Sequence, residues 1–181
     1  MKVDKKKLLS ADLAYLAYLT ALPWVRVGLY REAIREFDEV ARPVSNDPEY
    51  HNFRGFVLAQ FGHYKEAIEE FDKAIKLAPK IPEYHNNKGR VLAQFGHYED
   101  AIKEFDKAIK LEPFNPVYHY NKATALGRMG RYEEALREIS AATRVPFVIQ
   151  IPMRLPDPNS IGVYYTNEAL ILQGLGRYEE A

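Results

Sequence analysis

The chain contains a block of 34 residues that occurs twice in direct succession. Residues 51–84 and residues 85–118 are identical at 24 of the 34 aligned positions, and the offset between equivalent residues is constant. Such self-similarity is typical of proteins in which short structural units stack on one another. It constrains the fold strongly, because a unit this short cannot bury its apolar residues alone and must pack against its neighbours.

Weaker copies of the block extend the pattern in both directions. The last copy is displaced by 46 residues instead of 34, so it follows 12 additional residues. The same small, aromatic and apolar residue types mark these copies: Ala21, Gly28, Tyr30, Ala33, Phe37 and Val40 in the first, Ala123, Gly130, Tyr132, Ala135, Ile139 and Ala142 in the fourth, and Ala169, Gly176, Tyr178 and Ala181 in the fifth. The repeat therefore covers nearly the whole chain.

The residue spacing within each copy predicts a pair of helices. One apolar stripe follows helical spacing: Ala67, Ile68, Phe71, Ala74 and Ile75. Gly62 stands where the first helix must stop, because glycine tolerates the left-handed conformation that often ends a helix. Asp47-Pro48 predicts a helix cap followed by a first-turn proline. Pro79 and Pro113 are expected to end second helices.

In these features the sequence resembles the tetratricopeptide repeat family. The resemblance rests on the small residue at Gly55, Gly89, Ala123 and Ala169, on the Gly-x-Tyr-x-x-Ala run that follows, and on the later Phe or Ile, Ala and Pro. It implies an all-α fold, a right-handed α-α superhelix of stacked helix-turn-helix repeats with a concave side. It also implies a non-catalytic scaffold that binds an extended peptide or a partner protein in the concave groove.

Six segments are expected from this pattern. They are a degenerate N-terminal repeat at 1–46, repeats at 47–81, 82–115 and 116–143, a Pro-rich apolar insertion at 144–158, and an incomplete fifth repeat at 159–181. The first is degenerate because Pro23 lies inside its first helix and is expected to kink or end it. The last stops early in its second helix, which indicates a fragment of a longer protein.

The insertion at 144–158 is unusually apolar for a connection. One interpretation is a long loop packed against the repeats, and the other is an extended strand that pairs with a partner or with another subunit. Candidate self-association residues are Phe147, Val148, Ile149 and Ile151. A self-assembling structural scaffold, which uses this insertion and the exposed C-terminal end, is therefore the alternative function.

The resemblance also implies which side chains face the groove, since the first helix of each pair lines it in this family. The candidates are Asn52, Phe53, Phe56, Asn86, Asn87, Arg90, Tyr120, Asn121, Thr124 and Asn167. The amides can hold the backbone of an extended peptide because they both donate and accept hydrogen bonds. Arg90 can meet a carboxylate. Alternatively, the asparagines cap or bridge neighbouring helices.

One variant of the family clamps a C-terminal carboxylate with two basic side chains and asparagines. That arrangement is disfavoured here, because the positions that need a basic residue hold other types: Asn52, Asn86, Val117, Asn121, Val163 or Asn167.

The composition limits the classes of partner that are expected. The chain carries 25 basic and 25 acidic residues, and this zero net charge argues against a nucleic acid or an anionic membrane as the main partner. RNA binding, in the manner of related helical-repeat proteins, is the least favoured alternative. A protein or peptide partner is expected, and a homo-oligomer is possible. The absence of cysteine permits a reducing compartment, and a cytoplasmic location is expected.

No sequence motif indicates an enzyme, a cofactor or a metal site. The recurring histidines, His51, His85 and His119, are too far apart in stacked repeats to share a zinc ion and are interpreted as packing residues. The charged residues of the second helices suggest i,i+4 ion pairs on a solvated face, such as Asp72–Lys76 and Asp106–Lys110.

Overall fold

The computed structural model describes residues 10–143, which form helices joined by short turns and contain no strand. This part contains eight α-helices: α1 (Ser10–Arg26), α2 (Tyr30–Ala41), α3 (Pro48–Gln60), α4 (Tyr64–Leu77), α5 (Pro82–Gln94), α6 (Tyr98–Leu111), α7 (Pro116–Arg128) and α8 (Tyr132–Thr143). A short 3-10 helix, Arg42–Val44, follows α2.

Two compact units divide the chain. Unit 1, Met1–Phe95, holds α1 to α5, and unit 2, Gly96–Ala181, holds α6 to α8. In unit 1, α1 packs on α2, α3 packs on α4, and the two hairpins meet mainly through α1 and α3. Helix α5 then packs on α4. In unit 2, α7 pairs with α8, and α6 packs on α7. Helices α1 and α2, α3 and α4, and α7 and α8 thus form helix-turn-helix pairs of the kind that the repeat predicts.

Glycine ends the first helix of each pair, as predicted for Gly62. Gly28, Gly62, Gly96 and Gly130 each stand two residues after such a helix and have φ between +75° and +87°. At the end of α3, the amide of His63 donates to the carbonyl of Leu58 at 3.1 Å, which satisfies a carbonyl group that the helix leaves open. The left-handed residue turns the chain back so that α4 can pack on α3.

The predicted cap at the start of α3 is confirmed. The backbone amide of Glu49 donates to Asp47 Oδ1 at 2.9 Å, and Pro48 occupies the first helical position. Asn115 caps α7 in the same way, since the amide of Val117 donates to its Oδ1 at 3.1 Å. Proline suits the first position because its missing N–H has no partner there in any helix.

Small residues and phenylalanines build the core of unit 1. One cluster joins both hairpins and contains Ala17, Ala21, Ala33, Phe37, Ala41 and Val57. The next contains Leu58, Ala67, Phe71 and Val91. A Cβ atom at Gly55 would lie 3.0 Å from two ring carbons of Phe71, so the glycine lets this ring press against α3. Deep burial of Phe37 and Phe71 explains their recurrence at the 34-residue spacing.

Pro23 does not end the first helix. Helix α1 continues through Pro23 to Arg26, and Trp24 and Val25 pack against the first core cluster. Only three helical residues follow the proline, so the missing backbone donor falls in the last turn, where its cost is small. The first helix pair is therefore more regular than the sequence suggests.

The predicted insertion at 144–158 and the predicted incomplete repeat at 159–181 lie outside the described residues. Among α1 to α8, no helix combines the length and the apolar character that crossing a lipid bilayer requires.

Candidate functional site

Four aromatic side chains from α1 and α3 gather on the first-helix side of unit 1. We call Tyr15, Tyr18, Phe53 and Phe56 the aromatic patch. Tyr18 stacks on Phe53 with ring centroids 5.5 Å apart, and Tyr15 lies 5.6 Å from the same ring. Phe56 lies 6.4 Å from both Tyr18 and Phe53. Such distances are those of attractive aromatic pairs.

The aromatic patch is only partly covered. Tyr15 is 39% exposed, and the other three rings are half-buried. Leu19, one turn after Tyr15 on α1, is also exposed. By contrast, the phenylalanines at the centre of the helix pairs are fully buried. The predicted groove residues Phe53 and Phe56 therefore lie together at a surface that keeps apolar area in contact with water.

Tyr15 and Tyr18 were not predicted as site residues. The repeat alignment places Leu19 and Leu22 at the positions of Phe53 and Phe56. The two tyrosines lie about one turn earlier in α1 and reach the same patch because α1 packs against α3. Their i,i+3 spacing on one helix face was the available signal.

Arg90 lies on α5 at the repeat position that Phe56 holds on α3, 34 residues earlier, and α5 contacts α3. Its side chain is exposed, and it takes part in none of the ion pairs found within residues 10–143. Burial raises the pKa of the Tyr18 hydroxyl, Tyr15 raises it further, and the positive charge of Arg90 opposes the rise.

The predicted amides of unit 1 form an internal network between α3 and α5. Asn87 Nδ2 donates to Asn52 Oδ1 at 3.0 Å, and Asn52 Nδ2 donates to Glu49 Oε2 at 3.2 Å. The hydroxyl of Tyr84 donates to Glu49 Oε1 at 2.7 Å. Burial, followed by the hydrogen bond to Glu49, raises the pKa of this hydroxyl. The side chains of Asn52 and Asn87 thus bridge neighbouring first helices, and their contact with a peptide stays a prediction.

The remaining candidate residues are dispersed. Asn86 is buried on α5. Tyr120, Asn121 and Thr124 are half-buried on α7 of unit 2, where Thr124 Oγ1 donates to the Tyr120 carbonyl at 3.0 Å. Asn167 and the candidate self-association residues Phe147, Val148, Ile149 and Ile151 lie outside the described residues.

A second network joins the second helices α2, α4 and α6 to the first helix of the next repeat. In unit 1, Arg54 bridges Asp38 Oδ1 at 3.1 Å and Glu70 Oε1 at 3.0 Å, and His51 Nδ1 lies 2.7 Å from Glu70 Oε2. Burial alone would raise the pKa of Glu70, but hydrogen bonds from Lys73 and His51 and the charge of Arg54 hold it below its ordinary value.

Unit 2 repeats this network with lysine in place of arginine. Lys122 Nζ lies 2.7 Å from Asp106 Oδ1 and 2.6 Å from Glu138 Oε1. His119 Nδ1 lies 2.7 Å from Glu138 Oε2, and its Nε2 lies 2.9 Å from the Pro113 carbonyl oxygen. The hydrogen bond to Glu138 raises the pKa of His119 although burial opposes it. These histidines therefore pack between helices.

This arrangement corrects the predicted i,i+4 pairing. Asp72 pairs with Lys88 at 2.7 Å and Asp106 pairs with Lys122, so neither meets the lysine four residues later on its own helix. Some of the charged residues on the second helices therefore form ion pairs with the first helix of the next repeat. No group of three metal-ligating side chains occurs within residues 10–143.

Successive helix hairpins and an aromatic and basic first-helix face define a helical-repeat scaffold. Sequence comparison specifies the family. Two family models, each described as tetratricopeptide repeat, match the chain, one at residues 25–80 and 57–116 and the other at residues 104–137. The chain belongs to the tetratricopeptide repeat family, whose members are generally non-catalytic scaffolds for protein interaction. The predicted family and the predicted all-α fold of helix-turn-helix repeats are confirmed.

Solved structures of MamA share this fold. The structure described as MamA 41-end from Desulfovibrio magneticus RS-1 has a TM-score of 0.67 and 25% identity, and the match covers 93% of this chain and 89% of that one. The structure described as MamA protein has a TM-score of 0.66 and 18% identity, covering 93% and 86%. The structure described as MamA MSR-1 has a TM-score of 0.61 and 20% identity, and the match covers 93% of this chain and 90% of that one. No curated protein sequence matches the chain.

Proposed function

We propose that this chain is a non-catalytic scaffold that binds an extended peptide segment of a partner protein on the first-helix face of unit 1. The observation that carries the proposal is the aromatic patch, where two tyrosines and two phenylalanines remain partly exposed beside Arg90. Surface aromatic clusters next to arginine are typical of protein-binding sites.

The patch offers an apolar anchor site. An aliphatic or aromatic side chain that covers about 100 Å² of apolar surface contributes roughly 2.5 kcal/mol at about 25 cal/mol per Å². Because ordering the peptide offsets part of this gain, the patch alone cannot hold a short segment, and weak binding with further contacts is expected. Contacts of the peptide with the side-chain amides of Asn86, Asn121 and Asn167 and with the Thr124 hydroxyl stay predictions.

Selection from a library of random displayed peptides tests this function. Enriched peptides should bind the chain in solution, with an affinity measured by fluorescence anisotropy. Tyr15→Ser should weaken that binding, and Phe53→Ala should weaken it further, because each removes part of the aromatic patch. Leu77→Ser is the matched control, since Leu77 is 51% exposed on the second helix α4, away from the patch.

Circular dichroism must show that each variant keeps its helices before binding is compared. An equal loss of affinity in Leu77→Ser and Tyr15→Ser, or a library that yields no binding peptide, would refute the proposed function. The self-assembly alternative depends on Phe147, Val148, Ile149 and Ile151, which lie outside the described residues, and it stays a prediction.

A further inference from the structure

We infer that the first-helix face of unit 1 selects a segment carrying an apolar side chain for the aromatic patch and an acidic side chain for Arg90. This inference rests on the proposed function and specifies the chemistry of its partner. It commits to an Asp or Glu inside the segment as the group that meets Arg90.

Arg90 differs from three other basic residues of the first helices, which form ion pairs with the preceding second helix. Arg54, Lys88 and Lys122 are each held by an aspartate of the preceding second helix, namely Asp38, Asp72 and Asp106. Arg90 is exposed and has no such partner within residues 10–143. Its guanidinium is therefore not engaged in joining helices. A planar guanidinium binds a carboxylate through two parallel hydrogen bonds, so it provides direction as well as charge.

Helices α1, α3 and α5 carry only three acidic residues. They are Asp12, Glu49 and Glu83, each near the start of its helix. Arg90 lies seven residues after Glu83, about 10 Å further along the helix. Glu49 is already bonded to Asn52 and Tyr84. The middle of the first-helix face thus presents a positive charge beside apolar rings, and the complementary ligand is apolar and acidic.

Tyr18 links the two halves of this surface. Its ring stacks on Phe53 within the patch, and Arg90 holds on α5 the repeat position that Phe56 of the patch holds on α3. The positive charge of Arg90 also opposes the rise in the pKa of the Tyr18 hydroxyl. The apolar and acidic side chains of one peptide must therefore be close in sequence. In an extended segment, side chains on the same side recur every second residue, so a spacing of two is expected.

A carboxylate inside the segment fits this surface better than a free C-terminus. A clamp for a terminal carboxylate would need polar groups that converge with Arg90. The amide of Asn87, three residues before Arg90 on α5, is 8% exposed and donates to Asn52. One guanidinium with an open approach suits a side chain whose peptide continues in both directions.

The test uses a peptide library fused at both ends, so that no peptide has a free terminus, against the whole chain and two variants. Arg90→Glu reverses the charge at the site. Lys80→Glu is the matched control, because Lys80 is exposed in the α4–α5 connection and makes the same change of charge. We expect the unmodified chain and Lys80→Glu to enrich Asp or Glu two residues from an aromatic or aliphatic residue. Arg90→Glu should lose that enrichment and favour Lys or Arg.

Binding of one selected peptide then measures the interaction between its acidic side chain and Arg90. Replacing its acidic residue by the matching amide should weaken binding to the unmodified chain about fivefold, as for a partly exposed ion pair, and should not weaken binding to Arg90→Glu. Replacing the acid by Lys should restore binding to Arg90→Glu. An amidated free peptide and its unamidated form should bind equally, and a preference for the unamidated form would overturn the assignment to a side chain.

The outcomes separate the two proposals. Peptides that need the aromatic patch but show no acidic enrichment would overturn this inference and leave the proposed function standing. A library that yields nothing refutes both. A chain whose mass rises with concentration, with the rise lost in Tyr15→Ser, would mean that a second copy occupies the patch, and this also overturns the inference.

Discussion

Glu70 is the residue whose loss should cost unit 1 the most electrostatic stability. Its carboxylate is 5% exposed and accepts hydrogen bonds from Arg54 and Lys73, with His51 Nδ1 2.7 Å away. Glu70→Gln keeps the shape and removes the charge. Breaking a buried ion pair typically costs 3–5 kcal/mol, but Arg54 keeps its bond to Asp38, so about 2 kcal/mol is expected.

For a chain of this length, about 2 kcal/mol lowers the melting temperature by roughly 4–8 °C. Thermal unfolding followed by circular dichroism at pH 7 measures this shift. Glu69→Gln is the control, because Glu69 is the exposed neighbour on the same helix and should change stability by less than about 0.5 kcal/mol. Raising the salt concentration should leave the difference largely intact, since screening acts weakly on a buried carboxylate.

Acidification provides a second measurement with a defined sign. The pKa of Glu70 lies below its reference value of 4.5 in the folded protein. Its stabilisation is therefore present above pH 4.5 and is lost as the pH falls through the lower folded pKa. The unmodified chain and Glu70→Gln should differ at pH 7 and converge in acid. Equal melting of Glu70→Gln and Glu69→Gln at pH 7 would refute the role given to this network.

Substitutions at three further residues test other parts of the structure. The unmodified chain should lose stability as the pH rises above 6.5, because the pKa of His119 is raised in the folded protein and its pairing with Glu138 is strongest below that pH. His119→Gln should not show this loss. Melting temperatures measured between pH 6 and 8 test this, and the same pH dependence in both proteins would contradict it. Gly62→Ala should cost about 1 kcal/mol in urea denaturation, since φ is +77° there. Asp47→Ala should cost about 1 kcal/mol by loss of the cap, whereas Asp47→Asn should be nearly neutral in the same assay.

Much of the fold could be predicted because the repeated residues act on the backbone within one helical turn of themselves. Gly62 must adopt a left-handed conformation and Asp47 must cap a helix, and both effects involve residues within one turn. Pro23 shows the limit of such reasoning. Its effect depends on how many helical residues follow it, and the three that do include Trp24 and Val25, which pack against the core.

The candidate site was less predictable because its contacts join different helices. Phe53 and Arg90 were predicted from the repeat phase, but Tyr18 belongs to the repeat that matches the pattern least well. The bond between Asn87 and Asn52 spans 35 residues of sequence, so no rule for one helix could reveal it. The Asp72–Lys88 pair was missed for the same reason, since the predicted i,i+4 pairs lie on a single helix surface.

The Asp–base pairs have a consequence for how a chain of this kind can change length. Asp38 meets Arg54 and Asp72 meets Lys88, and both partners lie 16 residues further along the chain. If residues 48–81 were excised, Lys88 would take the position of Arg54 and meet Asp38, so no acidic group would be stranded at the new junction. Tandem duplication of the same stretch would likewise supply each added junction with its own counter-charge. Recombination between copies can thus lengthen or shorten the array while each of these aspartates keeps a basic partner.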